Sequence, residues 1–73
     1  MISGNMIKAG RALIDCDQLT LAKAANISIT TLVNLEKSGA APVTGLAKTL
    51  QLVVAALKAK GVTITGNGVM LAS

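Results

Sequence analysis

The chain of 73 residues is short enough for one domain that buries only a modest fraction of its surface, so its stability margin is thin and a partner subunit would add to it. Seven Lys and Arg against three Asp and Glu give a net charge of +4, which suits a polyanionic partner such as DNA. With no His, no aromatic residue and no clustering of Asp15, Asp17 and Glu36, catalysis has almost no material, and neither a metal nor a cofactor is expected.

The single Cys16 cannot form an intrachain disulfide and reads as a small apolar residue, which fits a reducing cytoplasm. Hydrophobic residues make up 52% of the chain, yet the densest run, 50–57, contains Gln51 and is far too short to span a bilayer. Residues 1–10 lack the continuous apolar stretch of a signal peptide. A soluble cytoplasmic protein with no membrane partner is the expectation.

Ser3 is placed to cap a first helix with Met6, Ala9, Leu13 and Ile14 at helical spacing on its buried face, ending near Asp15. Asp17 can cap a second helix over 18–25, with Leu21, Ala22 and Ala25 inward. Asn26, which tolerates the left-handed backbone, makes the turn that follows. Ser28 then caps a third helix over 29–37, with Leu32 and Leu35 inward and Thr30, Thr31, Asn34 and Lys37 largely outside.

Ser38, Gly39 and Pro42 mark a loop, after which Thr44 can cap a long helix to about Lys60, closed by Gly61. Leu46, Leu50, Val53, Val54 and Leu57 define a face of that helix, which Leu52 and Ala56 widen. Alternation over 62–65 and a second apolar run over 69–72 predict two strands around a turn at Gly66 and Asn67. That loop sets Ile64 opposite Val69 and Val62 opposite Leu71, with all four on one side.

The segment 18–37 has the spacing of a helix-turn-helix unit. Ala22 is small where two helices cross, Asn26 occupies the turn, Ile27 and Leu32 fill the wedge, and Ser28 frees the third helix's N-terminus to approach DNA. Arg11, Leu13, Gln18, Leu21, Ala22, Ser28, Leu32, Leu35 and Glu36 fall on positions typical of one family. Over residues 6–42 the chain resembles the Cro and phage-repressor family of XRE-like helix-turn-helix regulators, although that family often has Gly where Asn26 stands.

The resemblance implies a mainly α, repressor-like helix-turn-helix domain; with the elements read above, this gives four to five helices over 1–61 and a short C-terminal β-hairpin over 62–73. It further implies a structural pair between Arg11 and Glu36, and base contacts from Ser28, Ile29, Thr30 and Asn34, with Thr31 adjacent. The chemistry is compatible: Asn34 can bond an adenine edge, Thr30 several bases, and Ile29 can pack on a thymine methyl. Gln18 and the amides around it can hold a phosphate, with further phosphate contacts from Lys23, Lys37 and Ser38.

One recognition helix reads few base pairs, so such domains bind double-stranded DNA as twofold pairs. The apolar C-terminal third is the expected homodimer interface, through Val53, Val54, Leu57, Val62, Ile64, Val69 and Leu71, with edge-to-edge strand pairing as one form of it; the alternative is that these residues complete the core of a single chain. The leading reading is a transcriptional repressor or autoregulatory controller, with RNA polymerase or another protein as a further partner. An antitoxin or antiactivator that mainly binds a protein is the alternative.

Overall fold

The computed structural model describes residues 2–40, 47–65 and 68–71. Four helices, α1 (Gly4–Leu13), α2 (Gln18–Ala25), α3 (Ile29–Glu36) and α4 (Ala47–Ala59), precede a hairpin of β1 (Val62–Thr65) and β2 (Gly68–Leu71). The expected Thr44 cap, the apolar Leu46, Pro42 and the turn residues Gly66 and Asn67 lie outside the described residues.

Short polar side chains start the first three helices. Ser3 Oγ accepts the Met6 N–H, Asp17 Oδ1 accepts the Thr20 N–H at 2.7 Å, and Ser28 Oγ accepts the Thr31 N–H at 3.1 Å. Each satisfies one of the N–H groups that a helix start leaves without an intrahelical partner.

The stops are equally local. Asn26 sits at φ 58°, ψ 43°, and the Ile27 N–H returns to the Ala22 carbonyl at 3.0 Å. Asp15 does the same work after α1: at φ 50° it lets the Cys16 N–H reach back to the Arg11 carbonyl at 2.9 Å. Both ends have the paired return bonds of a left-handed helix closure. α1 therefore stops at Leu13, two residues before the turn residue Asp15.

The core gathers Ile7, Leu21, Ala22, Ala25, Leu32, Leu35, Val53, Ala56, Leu57, Val62 and Ile64, so the helices and the hairpin share one apolar interior. The expected face of α1 is corrected. Ala9 and Leu13 are exposed and Met6 and Ile14 half-buried, while Gly4, Ile7 and Gly10 are buried. Close approach explains the rotation: a Cβ on Gly4 would collide with the Glu36 carbonyl oxygen and lie 2.8 Å from that of Leu35. On Gly10 it would lie 3.3 Å from the side chains of Leu57 and Val62. An apolar stripe built partly of glycine carries no hydrophobic signal, so the periodicity pointed one residue away.

On α4, Val53, Ala56 and Leu57 are buried and Leu50 and Val54 half-buried, while Leu52 faces outward. The hairpin register is the expected one, Val62 opposite Leu71 and Ile64 opposite Val69. Its apolar side is unevenly covered: Val62 and Ile64 are buried, Val69 is half-buried and Leu71 is exposed. Among the described residues, no helix is long and apolar enough to cross a membrane.

Two outcomes follow. Gly4→Ala meets backbone that cannot yield, so it should cost about 1–3 kcal/mol in urea unfolding. Gly10→Ala meets side-chain ends and gains roughly 1 kcal/mol of helix propensity, so it should be close to neutral. Equal losses in the two variants would contradict the backbone contact at Gly4.

The hydrogen bonds from the Thr20 backbone and side chain hold the Asp17 carboxyl below its ordinary value of 3.8. A lowered folded value means that the carboxylate contributes stability above the unfolded value and loses it as pH falls through the folded one. Acid titration of stability should therefore show a steeper fall below about pH 4 in the native chain than in Asp17→Asn, which keeps a capping oxygen without the titration.

Candidate functional site

One carboxylate joins three helices. Glu36, at the end of α3, is 1% exposed, and it receives Arg11 Nε at Oε2 and Arg11 Nη2 at Oε1, both at 2.8 Å. Arg11 belongs to α1, and the paired geometry is the bidentate fork that fits guanidinium to carboxylate. Gln18, the first residue of α2, adds Nε2 to Glu36 Oε1 at 3.1 Å. Arg11 Nη1 also donates to the Cys16 carbonyl at 3.2 Å, which ties down the α1–α2 connection. The hydrogen bond to Glu36 raises the Arg11 pKa further, against the lowering effect of burial, so the guanidinium stays charged.

A second junction sets the start of α1 on the end of α3. The Gly4 N–H donates to Ser38 Oγ at 2.8 Å and the Asn5 N–H to the Gly39 carbonyl at 2.9 Å. The positive end of one helix dipole thus meets the chain leaving the negative end of another.

With the frame held from behind, α3 turns its other side outward. Ser28, Thr30 and Asn34 are exposed, and Ile29 is 41% exposed, a large apolar side chain among polar ones. Thr31, expected largely outside, is half-buried, with Oγ1 in a 2.8 Å hydrogen bond to Ser28 Oγ. Lys37 caps the end of α3 and Lys23 stands in the last turn of α2, both exposed. This side of α3 offers donors, acceptors and one apolar contact, with no acidic group on it.

The residues expected to contact phosphate divide. Lys23 and Lys37 are free to reach solvent, whereas Gln18 and Ser38 are half-buried and already engaged with Glu36 and Gly4. Gln18 keeps a second amide hydrogen and Ser38 its hydroxyl hydrogen, so each retains a donor.

The expected dimer interface is corrected more sharply. Val53, Leu57 and Val62 are 0% exposed and Ile64 is buried with them, so these four close the chain's own core and present no surface. A core this small needs every large apolar side chain that its helices can bring together. Val54 and Val69 remain half-buried and Leu71 is 50% exposed, beside Met70, which sequence reading passed over and which is 66% exposed. Two further features had gone unseen. Gly4 and Gly10 were detectable as glycines inside a helical pattern, a sign of close approach, but the Gln18 bond to Glu36 had no local signal.

No protein-family profile matches the chain, and no curated protein sequence matches it closely enough to count as a relative.

The Arg11 and Glu36 side chains are 18% and 2% exposed, so removing one partner has unequal consequences. Arg11→Met should leave a buried carboxylate and cost about 3–5 kcal/mol in urea unfolding. The double variant Arg11→Met with Glu36→Leu should recover much of that loss, because a buried ion pair replaced by apolar groups is often close to neutral. A double variant no more stable than Arg11→Met would show that the carboxylate is not the source of the cost.

Proposed function

We propose that this chain is a sequence-specific DNA-binding regulator of the Cro and phage-repressor type, acting in the cytoplasm as a repressor or autoregulatory controller on a pseudo-palindromic operator. The observation that carries the reading is the outward side of α3. Ser28, Ile29, Thr30 and Asn34 stand exposed on a helix whose opposite side is locked by Leu32, Leu35 and Glu36. A rigid helix bearing hydroxyls, an amide and an apolar contact has the chemistry that distinguishes base edges in the major groove. The turn at Asn26 sets α3 against α2 as a helix-turn-helix pair, and exposed Lys23 and Lys37 with the net charge of +4 support attraction to phosphates.

In this reading Ser28, Thr30 and Asn34 read bases with Thr31 beside them, Ile29 packs on a thymine methyl, and the Ser28–Thr31 hydrogen bonds order the helix start. Lys23 and Lys37 take phosphates directly, with Gln18 and Ser38 offering the hydrogens left over from their internal bonds. The protein acts as a homodimer, since one short helix reads too few base pairs to single out a site. The exposed Met70 and Leu71 favour a second reading, a protein-binding antitoxin or antiactivator, and leave room for RNA polymerase as a partner.

Selection of bound sequences from random DNA, followed by gel-shift titration of the selected site at low and high salt, separates the two. The first reading expects a palindromic site whose affinity falls steeply with salt. Asn34→Ala should weaken the selected site by about 1–3 kcal/mol and relax preference at one base position, whereas Lys37→Ala should weaken all sequences and lower the salt slope by about one. No retarded band at low salt would leave the protein-binding reading.

A further inference from the structure

Ile29 does not stand alone on the outward side of α3. Residues four apart on a helix lie nearly above one another, so that side divides into two rows. One is apolar, Ile29 and Val33, and runs on to Lys37; the other is polar, Thr30 and Asn34. Val33 is half-buried, yet among the described residues it is not one of the half-buried apolar side chains that pack against the core. Leu32, Leu35 and Glu36 already fill the inward side, so the interior makes no use of it. Nor does the helix call for it, since a β-branched residue is a modest helix former.

We propose that Val33 is a specificity-determining residue, and that Ile29 and Val33 together read thymine methyl groups, so that the base pairs under α3 are A·T. The inference rests on the DNA-binding reading above and adds to it a residue and a base composition. An A·T pair divides its major-groove edge as α3 divides its outward side: adenine presents N7 and the N6 amino group, and beside them thymine presents its methyl. Asn34 matches the first with an amide that both donates and accepts, and the apolar row matches the second. Spacing agrees. Four residues advance about 6 Å along a helix, close to two base-pair steps of about 3.4 Å, so Ile29 and Val33 reach separate pairs.

G·C pairs lack a reader. Guanine is read chiefly by Arg or Lys and cytosine by a carboxylate. Between Ser28 and Glu36 there is no Arg, Lys or Asp, and Glu36 is buried on the opposite side. Lys37 follows the last turn, at the far end of α3 from Ser28. A cytosine under the apolar row would press its amino group against Ile29 or Val33 with no acceptor to meet it, a desolvation cost that thymine does not incur. The row is also suited to DNA in its surroundings: exposed Lys37 ends it, exposed Thr30 and Asn34 run alongside, and the chain carries a net charge of +4, complementary to a polyanion.

The test uses the whole chain and a site selected from random DNA. Each thymine of a half-site is replaced in turn by deoxyuridine, which removes the methyl and nothing else, and affinity is read by gel-shift titration. Loss of one buried methyl should weaken binding about fourfold at the thymines under Ile29 and Val33 and leave the other positions unchanged. Val33→Ala changes a residue off the core and raises helix propensity, so it should keep the circular-dichroism spectrum and weaken the thymine site by about fourfold or more. The cycle of the two changes decides: on the site with uracil under Val33, Val33→Ala should lose less than about twofold, because the methyl it met is already gone. A half-site without thymine, no uracil position that weakens binding, or a Val33→Ala loss equal on thymine and uracil sites would each overturn the proposal while DNA binding stands. A chain that retards no DNA at low salt overturns it together with the reading it rests on.

Discussion

The Glu36 carboxylate is the constraint on which the arrangement of α1, α2 and α3 depends. A charge only 1% exposed is tolerable inside a small apolar core when its oxygens are occupied by hydrogen-bond donors. Here those donors arrive from two other helices: Arg11 supplies the fork from α1 and Gln18 a third bond from α2. Their geometry is directional, unlike the packing of Leu21, Leu32 and Leu35 around it, so the carboxylate selects one relative placement of the helices among the several that apolar packing alone would accept. The chain's thin margin makes that choice matter, since no large interior enforces it.

The second consequence falls on α3. Glu36 holds its last turn, Ser28 caps its first, and Leu32 and Leu35 anchor the side between. An eight-residue helix is too short to be stable alone, so its order comes from these tertiary attachments. A helix held from behind presents Ser28, Ile29, Thr30 and Asn34 without first having to be ordered by a ligand. Pre-organisation of this kind lowers the entropic cost of any contact made by that side, whichever class of macromolecule supplies it.

Much of this was legible in the sequence because the signals are local. Ser3, Asp17 and Ser28 announce helix starts by their own hydrogen-bonding chemistry, Asn26 announces a left-handed turn, and the hairpin register follows from alternation. Local signals failed where the determinant was a neighbour distant in sequence. The inward side of α1 is set by how closely Gly4 approaches the Glu36 carbonyl, 32 residues away, and no hydrophobic period can report an approach made possible by a missing side chain. Gln18 was read by its place at a helix N-terminus, yet its amide is drawn to a carboxylate 18 residues on. Asp15 was read as a boundary without its left-handed backbone, because Asp serves caps and turns equally well.

The apolar C-terminal third shows why composition misleads at this size. Its residues looked too numerous for one chain and read first as a dimer interface, with the chain's own core as the alternative; Val53, Leu57, Val62 and Ile64 complete the same interior as Ile7, Leu21 and Leu32. Residues 62–73 are therefore not an appendage: removing them would strip Val62 and Ile64 from the core and expose Leu57 and Gly10 beneath. A truncation at residue 61 would accordingly confound assembly with folding. What stays open is the remainder, Met70 and Leu71, while Val69 is half-buried against Gly10 of α1. The hairpin thus has two sides of unequal use, β1 serving the interior of its own chain and β2 carrying the same apolar layer to the surface.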